Sequence, residues 1–471
     1  MSAEFMSRMK ARLARILRAV ASRLEYSATP SQGAMASPSA WVPPSMPEWV
    51  VDELKELVRI EPELLPADDS VARFQFYSVP VNSGPGRVYR SLINTVGDIA
   101  PTHILMVPWL KAGGADRGAI YHVRAIVESI PQARVLVIAT EDADSPWAEK
   151  LPSSVRFVEF GKQARGLDFS KQVAVATRLL VQLAPATIHV INSRVGWECI
   201  ARHGLALSQN SSLFASLFCD DHTSRMVPVG YARDYLRVAL KWLTRVFTDN
   251  SEAPKVWVRD LGVDVSRFMV LPFPYDRAVE PLKPLDPEAS PTRILWAGRL
   301  DRQKRPDILA AIAEAMPSCH FDVWGDRVMG PADPAITKLQ SLPNVTMHGA
   351  FSRLEDVVLP EHFAYLHTTA WEGVPTILFD VAAAGVPICA PKVGGIPDFC
   401  DPDDLVDRFD DIDAFKTRLE QIRSSFELRQ MLRKKQWERL ASTRRWDGFV
   451  EHLRAVDGYF LPVVRASEGA A

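Results

Sequence analysis

The sequence predicts an α/β protein with two successive open sheets of mostly parallel strands, preceded by a helical extension. Apolar runs of the kind that form buried strands alternate with helical stretches, and this alternation starts twice along the chain. A proline-rich stretch, 276–290, separates the two series. The length of 471 residues also exceeds one ordinary hydrophobic core. We therefore expect two α/β domains with a site between them.

The first series begins with the apolar run HILMVPWL, the glycine loop KAGGADRG and a helical stretch, 119–129. Further strands are predicted at 134–139, 155–160, 187–192, 213–218, 246–249 and 268–272. Strand, glycine loop and helix form the usual opening of a nucleotide-binding α/β domain. The loop matches neither G-x-G-x-x-G nor a P-loop, so a simple turn is an equally good interpretation of it alone.

The second series contains the strand candidates RILWAGR, HFDVWG, NVTMHG, AYLHTT, PICAP and DLVDRF. A helical tail, 411–459, follows, and its basic middle part is typical of a solvated face. Ligands of open parallel sheets bind beyond the carboxyl ends of the strands. The site is therefore expected where those ends meet, in the cleft between the domains.

The most informative stretch runs from Thr368 to Phe399. Pro375 suits the first position of a helix, predicted over 376–384, and Gly385 suits its end. Glu372 lies in the loop before that helix and Asp380 lies within it. Helix N-termini favour anions, and carboxylates accept hydrogen bonds from hydroxyls. This pattern indicates a ligand with a phosphate at one end and several hydroxyls at the other.

Two cations follow the first strand of the second series. Arg299 ends that strand and Lys304 precedes the next helix, so both can reach the cleft. A planar guanidinium and a compact ammonium together suit a diphosphate. Taken alone, two solvated loop cations would explain the same pattern.

Three motifs together carry a resemblance to a known family. WAGRLDRQKRPDIL, HTTAWEGVPTILFDVAAAGVPICAPKVGGIPDF and KAGGADRG resemble the retaining family-four glycosyltransferases. The resemblance covers roughly 102–459 and implies the GT-B fold, two Rossmann-like domains facing a cleft. It implies an acceptor domain at 101–280 and a donor domain at 281–460. A helix and linker at 1–47, an extension at 48–100 and a tail at 461–471 complete the expected organisation.

The resemblance also implies roles for individual residues. Arg299 and Lys304 would hold the donor diphosphate, and Glu372 would hold hydroxyls of the transferred sugar. Asp380 stands where the family usually has a glutamate that binds the ribose, and it is one methylene shorter. The remaining donor-binding positions would be Gly113, Gly114, Gly373, Val374, Pro375 and Thr376.

The acceptor side is expected in the first domain. Arg194 and Trp197 lie in a segment that corresponds to the acceptor region of relatives, although Trp197 could equally belong to the core. Some relatives carry a histidine after the strand that here reads ASLFCDD. This chain has Cys219, Asp220 and Asp221 there, and Asp220 or His222 is a candidate polar contact. Neighbouring acids at a strand end are commonly caps, and no metal is expected.

The first 30 residues differ in charge from the rest. They carry a net charge of +4 within a chain of net charge −2, and apolar residues recur at helical spacing over 6–24. This amphipathic basic helix would suit an anionic membrane surface or a protein contact equally well. A flexible linker is predicted at 28–47, and 61–94 is expected to be irregular.

The composition excludes several classes of protein. The chain lacks the basic excess of nucleic-acid binders. Its five cysteines include no C-x-x-C pair, which favours a reducing cytoplasm over a disulfide framework. The sequence contains no apolar run of bilayer-spanning length.

These features lead to one functional expectation and two alternatives. We expect a retaining glycosyltransferase that moves a sugar from a nucleotide-diphosphate sugar to a hydroxyl of a glycan or glycolipid, in surface polysaccharide or lipopolysaccharide synthesis. It would need no cofactor and would lie in the cytoplasm, with a peripheral membrane contact through 6–24. The alternatives are a nucleotide-sugar epimerase or hydrolase and an inactive glycan-binding or assembly subunit.

Overall fold

A computed structural model describes residues 48–62, 83–288, 290–326 and 333–460. The predicted basic helix at 6–24 and the linker at 28–47 lie outside the described residues. The chain divides into two compact units, 1–81 and 82–471. The described part of the first unit contains helix α1, Glu48–Val58. The proposed domain boundaries stay a prediction.

The first sheet of the second unit has seven parallel strands in the order β3-β2-β1-β4-β5-β8-β9. Its strands are β1 (His103–Val107), β2 (Val135–Ala139), β3 (Arg156–Glu159), β4 (Thr187–Ile191), β5 (Ser212–Ser216), β8 (Arg245–Thr248) and β9 (Phe268–Val270). Its helices are α2 (Ser83–Val96), α3 (Gly114–Ser129), α4 (Phe160–Gln163), α5 (Phe169–Leu183), α6 (Arg194–Ser208), α7 (Tyr231–Ala239) and α8 (Glu252–Leu261). A short antiparallel hairpin joins β6 (Asp221–His222) to β7 (Pro228–Val229).

The second sheet has five parallel strands in the order β12-β11-β10-β13-β14. Its strands are β10 (Arg293–Ala297), β11 (His320–Trp324), β12 (Val345–Gly349), β13 (His362–Leu366) and β14 (Ile388–Cys389). The helices are α9 (Pro306–Ala315), α10 (Pro334–Ser341), α11 (Ile377–Ala384), α12 (Ile412–Ser424), α13 (Phe426–Thr443) and α14 (Trp446–Arg454). The predicted pair of parallel sheets is confirmed.

The central strands are buried along their whole length. Every residue of β1, β2, β4 and β13 is buried, as expected for strands covered by helices on both faces. These strands bring the ends of both sheets to the cleft.

The end of the chain returns to the first sheet. The Tyr459 hydroxyl bonds His122 Nδ1 at 2.6 Å and His189 Nδ1 at 3.0 Å, all three side chains being buried. Trp446 Nε1 donates to Glu128 Oε2 at 2.8 Å on α3. The C-terminal segment thus spans both sheets and holds the two halves together.

Two expectations about secondary structure are wrong. Part of the stretch expected to be irregular forms α2, whose Tyr89 and Ser91 bond residues of α5 and α4. DLVDRF forms no strand beyond one bridge between Pro391 and Val406. Its Asp404 instead bonds Arg418 at 2.9 Å and Lys435 at 2.9 Å, which ties the segment to α12 and α13.

Candidate active site

The cleft is lined by loops that leave the carboxyl ends of strands in both sheets. From the second sheet, the loop after β10 carries Arg299 and Lys304, and the loop after β13 carries Glu372. The first sheet contributes the glycine loop after β1 and the segments after β5 and β8. Several of these loops touch across the cleft, as the contacts below show.

Lys304 and Glu372 form a direct ion pair, Nζ to Oε1, with only 12% and 11% of their side chains exposed. Burial alone would raise the pKa of Glu372, but the adjacent Lys304 charge lowers it to about 2. The carboxylate is therefore ionised over the whole working pH range. The two residues that sequence reasoning assigned to opposite parts of one ligand lie together.

Arg299 lies beside this pair in a more open position, with 43% of its side chain exposed. Its Nη2 donates to Gln303 Oε1 at 2.7 Å, and its Nε lies 3.3 Å from Asp301 Oδ2. Gln303 Nε2 in turn donates to the carbonyl of Trp371 at 2.8 Å. This chain of bonds holds the guanidinium on the loop that borders Glu372.

Asp249, at the end of β8, holds the turn that follows Glu372. Its Oδ2 accepts the Val374 N–H at 2.8 Å. A β-carbon at Gly373 would lie 2.7 Å from both carboxylate oxygens, so this close approach requires glycine. Burial raises the pKa of Asp249 to about 7. The N–H of Val374 is therefore already occupied by Asp249.

A second glycine supports the same turn from behind. Gly394 has φ +53°, and a β-carbon there would lie 1.9 Å from the Glu372 carbonyl oxygen. Gly395 N donates to the Gly373 carbonyl at 3.2 Å. Thr376 then caps α11, and Pro375 precedes it, so the predicted helix begins one residue later than expected. Gly385 ends it in the left-handed region, as predicted.

Asp380 is already engaged by two arginines. Its Oδ1 pairs with Arg277 Nη2, and its Oδ2 lies 3.5 Å from Arg117 Nη1 of α3. Only 9% of the side chain is exposed, and burial raises its pKa despite both cations. The expectation of a carboxylate free to bind a ribose is therefore incomplete, because a hydroxyl must compete with two charged donors.

The glycine loop lies close to the turn that follows Glu372. Gly113 caps α3, and a β-carbon on Gly114 would lie 3.6 Å from Thr376 Oγ1. Asp116 in the first turn accepts the Lys111 N–H at 3.0 Å, which fixes the loop. The helix α3 begins at Gly114, five residues earlier than the predicted helix.

Two acceptor-side assignments are wrong. Trp197 is fully buried and stacks on Tyr235 with ring centroids 5.6 Å apart, so it cannot touch a ligand in the cleft. Asp220 is also buried, where it pairs with Arg233 at 2.6 Å and accepts from Trp257 Nε1 at 2.9 Å. Both residues belong to the packing of the first domain.

Of the other two acceptor candidates, Arg194 is exposed and His222 is half-buried. Arg194 stacks its guanidinium over Phe169 at 4.2 Å. The His222 ring lies 4.9 Å from the Trp371 ring across the cleft, and its carbonyl accepts from Arg302 Nη2. His222 therefore contacts the residue that precedes Glu372.

Sequence reasoning missed three residues that shape the site. Asp249, His367 and Arg277 contact Val374, Glu372 and Asp380 respectively. The strand-end position of Asp249, in TDNS, was a usable signal because strand ends face the cleft. No sequence pattern could have paired Arg277 with a residue 103 positions away.

Neither a metal cluster nor a spanning helix is found in the described part of the chain. No group of three or more His, Cys, Asp or Glu side chains is arranged there to hold a metal ion. None of the helices described is both long and apolar enough to cross a bilayer.

Comparison with known proteins agrees with this architecture. Residues 302–455 match the family model described as glycosyl transferase-like. The Anabaena protein HepE, solved with UDP and glucose, is 15% identical, with a TM-score of 0.58 over 75% of this chain and 98% of HepE. Sucrose-phosphate synthase from Thermosynechococcus elongatus is 16% identical, with a TM-score of 0.58 over 75% and 97%.

A third similar structure is the lipopolysaccharide outer core galactosyltransferase WaaB. It is 16% identical, with a TM-score of 0.57 over 74% of this chain and 97% of WaaB. No curated protein matches the sequence. At these identities the solved structures establish the fold.

The chain has the GT-B fold of these solved structures, and the glycosyl transferase-like model matches its residues 302–455. Its second domain carries the glycosyl transferase-like match, and the Lys304–Glu372 pair lies within those matched residues.

Proposed function

We propose that this chain is a retaining glycosyltransferase that moves a sugar from a nucleotide-diphosphate sugar to a hydroxyl of a glycan or glycolipid. The observation that carries the proposal is the buried pair of Lys304 and Glu372 beside Arg299. A cation, a carboxylate and a second cation on adjoining loops suit a ligand that joins a diphosphate to a sugar.

In the proposed reaction, Arg299 and Lys304 neutralise the diphosphate as it leaves the sugar. Such stabilisation of developing charge commonly dominates catalysis. Glu372 accepts hydrogen bonds from the transferred sugar, and Gly113 and Gly114 lie against the diphosphate. The leaving phosphate itself assists loss of the proton from the acceptor, on the same face of the sugar. No side chain serves as a covalent nucleophile, and no metal or other cofactor is required.

Asp380, Gly373, Val374, Pro375 and Thr376 complete the proposed donor site. Because two arginines engage Asp380, its contribution to ribose binding is smaller than that of a free carboxylate. His222 and Arg194 remain the proposed acceptor contacts.

The experiment that tests this function measures nucleotide release from a nucleotide sugar with and without an acceptor glycan. A transferase should release nucleotide only when acceptor is present, with the sugar found on the acceptor. An epimerase or hydrolase would act without acceptor, and either result would refute transfer. An inactive assembly subunit would bind donor without releasing nucleotide under any condition.

The membrane contact through 6–24 is a further part of the proposal, with a cytoplasmic location and a role in surface polysaccharide or lipopolysaccharide synthesis. Each basic residue near an anionic surface contributes about 1 kcal/mol. Deleting residues 1–30 should therefore abolish co-sedimentation with anionic vesicles and preserve transfer to a water-soluble acceptor. Unchanged co-sedimentation would assign the helix to a protein contact.

A further inference from the structure

His367 has a buried nitrogen without a hydrogen-bond partner at the centre of the site. Its side chain is 3% exposed, and its Nε2 lies 3.8 Å from Glu372 Oε1 with no partner of its own. Leaving a buried polar atom unsatisfied costs about 1–3 kcal/mol. Such an atom facing the main carboxylate of the cleft requires an explanation.

The hydrogen bond of the other ring nitrogen, Nδ1, explains why His367 Nε2 does not bond Glu372. Tyr365 Oη donates to the Ala297 carbonyl at 2.8 Å, so its oxygen accepts from His367 Nδ1–H at 3.2 Å. This arrangement leaves a lone pair on Nε2. A lone pair and a carboxylate are both acceptors, so they cannot bond until Nε2 receives a proton.

The Lys304–Glu372 pair creates a need for that bond. Lys304 can neutralise a diphosphate only if its ammonium turns away from Glu372, and removing the partner of a buried carboxylate is strongly unfavourable. The Thr369 hydroxyl also lies near Glu372 Oε1, at 3.3 Å, but it is neutral and lies within reach of two carbonyls. Among the described residues that contact Glu372, His367 alone can supply a second positive charge.

We propose that His367 is a positioning residue that takes over Glu372 when the donor diphosphate draws Lys304 away. Nε2 takes one proton from solvent, the imidazolium N–H donates to the Glu372 carboxylate, and donor binding is thereby coupled to proton uptake. The inference rests on the proposed function, because it requires an anionic donor at Lys304.

The electrostatics around His367 agree with this exchange. The titratable groups that contact or influence His367 are Lys304, Glu372 and Tyr365. Burial and then the Lys304 charge lower the pKa of His367 to about 4. The ring is therefore neutral at pH 7 as long as Lys304 is paired with Glu372. Movement of Lys304 to the diphosphate removes one of those causes and leaves Glu372 to favour the charged ring.

Calorimetric titration of the full chain with UDP tests the proposal. Titrations at pH 6.5 in two buffers of different ionisation enthalpy yield the protons exchanged per UDP bound. Wild type should take up more protons than His367→Gln, by up to about one per site. The terminal phosphate of UDP contributes equally to both proteins, so the difference isolates His367.

Two further variants sharpen the test. His452→Gln, at an exposed histidine of α14, should match wild type. His367→Phe keeps a ring of similar shape without polar atoms, so it should lose the proton uptake and bind UDP at least about tenfold more weakly. Equal uptake by wild type and the His367 variants would overturn the inference alone. Failure of UDP, GDP and ADP all to bind wild type would overturn the proposed function with it.

Discussion

Arg299→Ala is expected to slow transfer by a factor of about ten to a hundred or more, without lowering the melting temperature. A charge-assisted hydrogen bond contributes roughly 1.5–3 kcal/mol, and each 1.4 kcal/mol corresponds to a factor of about ten in rate. The loss should fall mainly on kcat, because the charge on the diphosphate grows as the sugar bond breaks. Steady-state kinetics with thermal denaturation measures both quantities.

Lys304→Ala should slow transfer at least as much, but it should also destabilise the protein. The substitution leaves the Glu372 carboxylate buried without its ammonium partner, which costs about 3–5 kcal/mol in typical buried pairs. Arg299, in contrast, bonds Gln303 and Asp301 on an open loop. Arg299→Ala is therefore the cleaner test of chemistry, and comparison of the two melting temperatures tests the buried pair.

A control variant must remove one positive charge from the protein without removing it from the proposed site. Arg408 lies in the same domain, with 73% of its side chain exposed, and pairs with Asp410 at 3.1 Å. Arg408→Ala should leave kcat within about twofold of wild type. If Arg299→Ala also kept wild-type transfer, the two loop cations would be surface charges and the mechanism proposed above would fail.

Glu372→Gln is expected to reduce transfer about a hundredfold or more while UDP still binds. The amide keeps the size of the side chain but loses the charge that accepts hydrogen bonds from the sugar. It also releases Lys304 from its ion pair. Affinity for the bare nucleotide should therefore stay equal to that of wild type or increase, because UDP carries no sugar and gains a free ammonium.

Kinetics and calorimetry on one preparation separate these effects. Glu314→Gln, at a carboxylate of α9 that pairs with Lys338 at the surface, serves as the control and should behave like wild type. A parallel loss of UDP affinity and transfer in Glu372→Gln would contradict the assignment of Glu372 to the sugar.

Local patterns in the sequence predicted most of the fold. Apolar runs such as HILMV and RILWA are long enough and apolar enough to identify buried strands. Gly385 and Pro375 predicted where α11 ends and begins, because the backbone angles that glycine allows and proline fixes depend on the residue itself. The strand prediction at DLVDRF failed because single-sequence patterns do not show the bonds of Asp404 to Arg418 and Lys435 on distant helices.

The sequence predicted the loops of the site better than the partners of its side chains. Lys304 and Glu372 were identified separately, since each lies at a strand end, but their ion pair joins positions 68 residues apart. Trp197 was misassigned because an aromatic residue on a helix carries the same local signal whether its face is buried or exposed. Asp380, Asp249 and His367 have partners set by the folded chain, which single-sequence patterns do not encode.

The measurement that tests the central claim most directly is a thermal-shift series with nucleoside diphosphates and their sugars. A ligand that binds only the folded state raises the melting temperature, and the stabilisation grows with the logarithm of one plus its concentration over its Kd. We expect the nucleoside diphosphate and the nucleotide sugars of at least one base to raise the melting temperature of wild type. The shift should be smaller in Arg299→Ala. Absence of any shift with UDP, GDP, ADP and their sugars would contradict a nucleotide-sugar site in this cleft.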